Sequence, residues 1–350
     1  MTHARPRLHC ETAVRYSVIA LAIALTGCSG VQSALDPKGP KAAGVLHLTW
    51  FLVGTAAVVY VVVVAMLVYV LRRGQRSRLE LDQDLGAELT EHDRGMKIWV
   101  AAATVLTTVI LIAFVFVDLS TARSLSRVGG ASPLRIDVVG HQWWWEVKYP
   151  DPNDPQNDIE TANEIHVPVG RAVLIKMKSG DVIHSFWAPN LDGKKDLIPG
   201  HETVNWFRAD TVGVYRGQCA EFCGYEHAKM AFYIVAEPRI EFERWLARQR
   251  AEASTPSDSL AQAGERVFLS SSCAMCHTVA GTGAGSNNGP DLTHLASRRT
   301  IAAGTLPNSA ANLESWILAP QTIKPGTKMP ANQLDPQSLR ALVAYLQGLK

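Results

Sequence analysis

Twelve consecutive residues concentrate metal-binding side chains: Cys219-Ala220-Glu221-Phe222-Cys223-Gly224-Tyr225-Glu226-His227-Ala228-Lys229-Met230. Two thiols four residues apart, an imidazole four further on and a thioether three beyond that suit copper better than calcium or magnesium. Zinc accepts Cys and His too, so spacing alone leaves that metal open. Two buried cysteines beside a surface histidine would give the same letters. A second stretch, Cys273-Ala274-Met275-Cys276-His277, has the Cys-x-x-Cys-His pattern of c-type haem attachment, in which both thiols add to the vinyl groups and the adjacent imidazole takes an axial position. A redox-active Cys-x-x-Cys or a zinc site shares part of that pattern, but no neighbouring βαβ pattern favours the redox reading. Met329, in Gly326-Thr327-Lys328-Met329-Pro330, is the only methionine after it and the first choice as sixth ligand, with His294 as a rival.

The 350 residues that carry these motifs divide by composition into several units. Arg5, Arg7 and Arg15, an apolar run over residues 16–25 and small residues before Cys28 make up an export signal. Leu25-Thr26-Gly27-Cys28 resembles the bacterial lipobox, so residues 1–27 are expected to be a lipoprotein-type signal peptide and Cys28 a lipid anchor. Ordinary cleavage nearby and an uncleaved anchor are the alternatives. Residues 28–44 form an extracytoplasmic segment and 45–120 a transmembrane hairpin. Its uncharged runs of 24 residues (48–71) and 20 residues (98–117), at about 1.5 Å per residue, cross a hydrocarbon layer of about 30 Å. Arg72, Arg73, Arg76 and Arg78 follow the first run, which puts the connector in the cytoplasm and both outer ends on the far side. Glu80, Asp82, Asp84, Glu88, Glu91 and Asp93 read as a solvated connector, and Trp50 and Trp99 as interfacial anchors.

Beyond Gly129-Gly130 the pattern changes to short apolar and β-branched runs: 134–139, 143–149, 164–167, 172–177, 182–187, 203–207, 212–218 and 231–235. Runs of this length separated by turn signals predict a β-sandwich or barrel over 131–237. A charged helix over 238–250 and a polar linker to about residue 257 follow. Residues 258–350 then predict a small all-α domain with helices over 261–271, 313–318 and 336–349. A formal charge of +2 with 19% charged residues excludes the basic excess of nucleic-acid binders. Cys10, Cys28 and the two close pairs suggest cofactor sites better than a disulfide framework. A metal loop in a sandwich needs a clamp from another strand, for which His184 is the best choice. A lone strand histidine is more often simply packed, and spacing does not decide between the two.

Asp181-Val182-Ile183-His184-Ser185-Phe186, Leu197-Ile198-Pro199-Gly200 and Cys219 to Gly224 with His227 and Met230, behind a two-span hairpin, resemble subunit II of haem-copper cytochrome c oxidases. The resemblance covers residues 45–250. It implies a cupredoxin-like barrel holding dinuclear copper A: Cys219 and Cys223 bridge the metals, His184 and His227 cap one each, and Met230 and the Glu221 carbonyl are weak axial ligands. It also implies a magnesium at the contact with subunit I, near the Glu221 side chain and Asp196. In His141-Gln142-Trp143-Trp144-Trp145 it makes Trp143 the residue of electron entry. On a strand, Trp143 and Trp145 would share a face and Trp144 the other, with core packing the plain reading for Trp144 and Trp145. One departure stands out. The family often has a glutamate, linked to proton entry, three residues before the Trp that opens the second span; here that position is Met96, and Glu91 is the substitute at hand.

Gly289-Pro290-Asp291-Leu292 and the Met-Pro loop resemble class I cytochromes c, in which the proline carbonyl supports the axial histidine, as Pro290 would support His277. A haem domain fused after a copper A domain is the arrangement of caa-type oxidases. The expected protein is therefore multidomain: a two-helix transmembrane hairpin, an all-β cupredoxin-like barrel and a small all-α cytochrome c domain. It would sit in a bacterial inner membrane with the copper and haem domains on the periplasmic side. There it would relay electrons from cytochrome c or a bc-type complex, via covalent haem c and copper A, to subunit I and its companion oxidase subunits. A stand-alone membrane-anchored copper/haem electron-carrier lipoprotein is the alternative. Nitrous-oxide reductase shares the copper motif but carries a large propeller domain, and quinol oxidase subunits share the fold without the copper ligands. Seven Lys/Arg against five Asp/Glu over 258–350 define no docking face.

Overall fold

The computed structural model describes residues 31–77, 88–128 and 132–350, with no side chains described from 74 to 94. The export signal with Cys10 and Cys28, the connector charges from Arg76 to Asp93, Glu91 included, and Gly129-Gly130 lie outside the described residues and side chains.

Helices α1 (Pro40–Ser77) and α2 (Glu88–Ser126) carry long, largely apolar stretches over Pro40–Arg73 and Gly95–Ser126. Val58, Val62 and Leu67 on α1 and Val105, Leu111 and Phe116 on α2 are all exposed. Helices of this kind need an apolar solvent, and both are long enough to cross a bilayer, with mean hydropathy 2.7 in each. They meet where Phe51 packs edge-on against Phe114, ring centroids 5.2 Å apart. Buried core helices, the other explanation for two such runs, would require the burial these side chains lack. Trp50, Trp99 and Met96 are exposed as well.

The sandwich has ten strands: β1 (Leu134–His141), β2 (Trp144–Tyr149), β3 (Ile159–Ala162), β4 (Glu164–Pro168), β5 (Val173–Ser179), β6 (His184–Trp187), β7 (Lys195–Leu197), β8 (Thr203–Phe207), β9 (Gly213–Cys219) and β10 (Ala231–Glu237). Their order is β3-β2-β1-β5-β8 in one sheet and β4-β10-β9-β6-β7 in the other. Alternation drives the burial. Trp145, Val147 and Tyr149 of β2 and Tyr215, Gly217 and Cys219 of β9 point inward while their neighbours are partly exposed. Two strands have no counterpart in the sequence reading. β3 and β7 are three or four residues long with polar members, too short to show a period. β2 begins at Trp144 rather than Trp143, so Trp143 lies in the turn and does not share a strand face with Trp145. Instead it is buried beneath the C-terminal module.

Residues 31–42 are part of this unit. Lys38 N–H donates to the Asn190 carbonyl at 2.6 Å and the Lys38 carbonyl accepts from Asp210 N–H at 2.7 Å. The buried Lys41 ammonium is held by Asp192 at 2.8 Å and Asn205 at 2.6 Å. Helix α3 (Arg239–Gln249) then buries Phe242 and Trp245 against the sandwich.

The C-terminal module comprises α4 (Ser259–Ser270), the hairpin β11 (Thr300–Ile301)–β12 (Leu306–Pro307), α5 (Ala310–Leu318), α6 (Pro320–Ile323) and α7 (Pro336–Gly348). Helix starts follow local chemistry: Asp258, Ser309 and Asp335 accept from the first free N–H groups of α4, α5 and α7, and Pro336 occupies the first turn of α7. Phe268, Leu313, Ile317, Leu342 and Leu346 form its core.

Candidate metal centres

Strand register brings the copper-type ligands together. Phe186 of β6 lies opposite Cys219 of β9, which puts His184, two residues along on the same face, diagonally beside Cys219. Cys219 N–H donates to the Met230 carbonyl, and Ala220 N–H to that of Ser185, each at 2.9 Å. The loop between Cys219 and Met230 is therefore pinned at both ends. A Cβ on Gly140 would stand 2.9 Å from the His184 ring, so only glycine admits the imidazole there.

Within this frame the sulfurs of Cys219 and Cys223 are 3.7 Å apart, Cys219 Sγ lies 3.9 Å from His184 Nδ1, and Cys223 Sγ lies 3.5 Å from His227 Nδ1. Cys223 Sγ is 3.8 Å from Met230 Sδ, and Cys219 Sγ is 3.2 Å from the Glu221 carbonyl. A disulfide needs about 2.05 Å between sulfurs, so these are free thiols. Cys219, Cys223, His184 and Met230 are all buried. The two thiols titrate unequally. Hydrogen bonding from Cys223 pulls Cys219 well below the usual thiol value. Bonding to Cys219 and burial push Cys223 well above it. A second thiolate here needs a cation beside it, so the donor set fits a soft metal.

Asp181 orients the clamp histidine. His184 Nε2 and Asp181 Oδ1 are 2.8 Å apart, which leaves Nδ1 facing the thiols. Burial opposes the Asp181 carboxylate. Its bonds to His184 and to the N–H groups of Gln142 and Val182 outweigh that and hold it below the usual range. Trp145, edge-on to His184 at 6.0 Å, and Phe186 stacked on Phe232 at 4.2 Å make the apolar shell. The Glu221 and Asp196 carboxylates lie around the Lys194 ammonium at 3.2 and 3.9 Å. Two half-exposed carboxylates with a lysine between them fall short of the six oxygens of a magnesium site, so this chain alone does not build one.

Cys273, Cys276, His277 and Met329 line one cavity of about 270 Å³, together with Trp143 and Trp144 of the sandwich. His277 Nδ1 donates to the Pro290 carbonyl at 2.7 Å, leaving Nε2 free as a ligand, and burial lowers the pKa of the ring. The thiols are free and the walls largely apolar, so the residues fit a covalently held haem, which Cys273, Cys276, His277 and Met329 would hold. His294 does not compete: its ring nitrogens lie 2.9 Å from the Lys350 carbonyl and 3.0 Å from that of Ala251. Trp144 is no plain core residue, since it stacks on His141 at 4.6 Å and walls the haem cavity. Sequence reasoning gave no role to Asp181, Gln142 or Lys324. Gln142 and Lys324 reach partners 81 and 181 residues away, which leaves no local signal, whereas Asp181 stands three residues from His184, inside the motif that identified it.

Fold and donor sets together define a membrane-anchored electron-transfer protein. The sequence profile of the cytochrome c oxidase subunit II periplasmic domain matches residues 155–237, and that of cytochrome c matches 261–350. Cytochrome c oxidase subunit 2 of Alkalihalophilus pseudofirmus is 35% identical over 97% of this chain and 98% of its own length. That of Bacillus subtilis is 30% identical over 93% and 94%. The solved periplasmic domain of subunit II from Bradyrhizobium japonicum is 30% identical, covers 36% of this chain and 96% of its own, and superposes with a TM-score of 0.32. The chain belongs to the cytochrome c oxidase subunit 2 family, in the form that carries a C-terminal cytochrome c domain. These domains imply copper A and haem c as its cofactors.

Proposed function

We propose that this chain relays electrons, one at a time, from a haem c held by Cys273, Cys276, His277 and Met329 to a dinuclear copper held by His184, Cys219, Glu221, Cys223, His227 and Met230, and on to an oxygen-reducing subunit I in the membrane. One observation carries the reading. Trp143 lines the haem cavity and its indole N–H donates to the carbonyl of Cys223 at 3.0 Å. The bound centres supply one-electron chemistry with little change of geometry. The chain's own residues do the rest: the thiols of Cys219 and Cys223 would hold the copper and those of Cys273 and Cys276 the haem, Asp181 and the Pro290 carbonyl orient His184 and His277, and Trp145, Phe186 and Phe232 exclude water. Gln142 Nε2 donates to the Cys223 carbonyl at 2.8 Å and stiffens the same junction.

On this reading residues 258–350 are the donor module, 131–237 the copper module and 45–120 the anchor, with both redox modules periplasmic and Cys28 a further lipid attachment. The donor to the haem is a cytochrome c or a bc-type complex. Full-length protein in detergent, loaded with both cofactors, tests the relay. Rapid mixing with a one-electron reductant should reduce the haem first and the copper second. Cys219→Ser should abolish the shared-electron paramagnetic copper signal while the haem spectrum survives. Retention of that signal in Cys219→Ser would refute the ligand assignment.

A further inference from the structure

Lys324 is the most deeply buried lysine among the described residues, 2% exposed, and it belongs to the haem module. Its ammonium donates to three carbonyls: Trp143 at 2.6 Å, Lys229 at 2.8 Å and Ala302 at 3.2 Å. The first two belong to the copper module and the third to the haem module, so the three donors are all matched and two of the bonds cross the junction. Trp143 is itself bonded to Cys223, and Lys229 sits between the ligands His227 and Met230. The grip therefore reaches the copper loop at two points.

The contact is reciprocal. Lys229 donates across the junction to the Ile323 carbonyl at 2.6 Å while its ammonium stays 3.1 Å from Glu226. Beside it Ala231 N–H donates to the Ala303 carbonyl at 3.0 Å. Ala302 and Ala303 have φ of 53° and 57°, a left-handed backbone that alanine adopts only when its surroundings impose it. A Cβ on Gly326 would lie 3.3 Å from the Trp143 ring, so the chain between Lys324 and Met329 runs directly over the indole.

We propose that Lys324 is a positioning residue for internal electron transfer: its buried ammonium locks the haem module onto the Trp143 and Lys229 carbonyls and so fixes the separation between haem and copper. This rests on the relay reading. For packing alone an apolar side chain would serve as well, because a buried ammonium with only dipoles for partners is costly. Burial pushes its pKa down to about 7, so the three-donor ammonium is the main form below neutral pH. What the ammonium adds is direction, two cross-module bonds that exist in one docked geometry only, with the third to Ala302 aiming the side chain. Electron transfer between fixed centres falls exponentially with distance, so a rate depends on that geometry far more than stability does.

The test uses full-length protein in detergent with both cofactors, comparing wild type, Lys324→Met and Lys324→Gln, the last of which keeps two N–H donors. Haem absorbance and the copper paramagnetic signal report the centres, and stopped-flow reduction reports the haem-to-copper rate. Each bond to a charged group stabilises the docked state appreciably, so Lys324→Met should slow the internal step about tenfold or more, with Lys324→Gln between it and wild type. Both spectra should be unchanged, and cleavage by protease in the linker near residue 255 should accelerate. An unchanged internal rate in the folded, cofactor-loaded Lys324→Met protein would overturn the proposal. If Lys324→Met does not accumulate, Lys324→Gln at the wild-type rate overturns it equally. Absence of haem-to-copper transfer in the wild type would instead sink the relay reading.

Discussion

The indole N–H of Trp143 donates to the Cys223 carbonyl at 3.0 Å, so the ring that walls the haem cavity is bonded to the backbone of a proposed copper ligand. Trp143→Phe keeps a ring in place and removes that bond. Stability should fall by about 1 kcal/mol, and the haem-to-copper step should slow several-fold in stopped-flow measurements while both spectra persist.

Asp181 supports the copper centre from outside it. In Asp181→Asn the orientation of His184 is no longer enforced by charge, and copper affinity should drop about 10- to 100-fold. Competition with a calibrated chelator measures this, and unchanged affinity would show that Asp181 serves only its bonds to Gln142 and Val182.

Met329→Ala should open one axial position of the haem. Loss of thioether ligation lowers the reduction potential, and the reduced haem should then bind carbon monoxide, which the wild type should resist. Optical titration in the full-length protein reads both effects.

His166 is sandwiched between Glu237, 2.9 Å from Nδ1, and Glu164, 3.0 Å from Nε2, with Trp245 stacked on its ring at 4.2 Å. Glu164 also accepts from Arg299 N–H of the haem module at 3.0 Å. Burial disfavours the imidazolium, but the bonds to the two glutamates outweigh it and raise the pKa above 6.5. A raised folded pKa means that the charged histidine stabilises fully below about pH 6.5 and that this contribution fades as pH rises through the folded value. Melting temperature should therefore decline as pH rises above about 6.5 by more in wild type than in His166→Gln.

Spacing makes the ligand types legible wherever the chain itself brings them together. Cys219 to Met230 and Cys273 to His277 are contiguous, and each pattern implies its chemistry before any fold is known. The two apolar helices are legible for the same reason, since composition over twenty residues decides their solvent. Strands of six to eight residues with alternating burial were visible, whereas β3 and β7 were too short to show a period. Trp143 was misplaced on a strand because its position in the turn depends on the pairing of β1 with β2, which begins at Trp144 and His141.

The sequence alone determined that the side chains suit a soft or borderline metal and a c-type haem, that the chain has apolar spans, and the family to which it is similar. Only the tertiary structure decided that His184 stands beside Cys219, that Asp181 holds its ring, that His294 is committed to two carbonyls, and that Trp143 lines the C-terminal cavity while bonded to the Cys223 carbonyl. Lys324 and Trp143 are 181 residues apart in the chain. No periodicity or motif encodes a bond from an ammonium to a distant carbonyl, because every residue offers the same carbonyl and only packing selects among them.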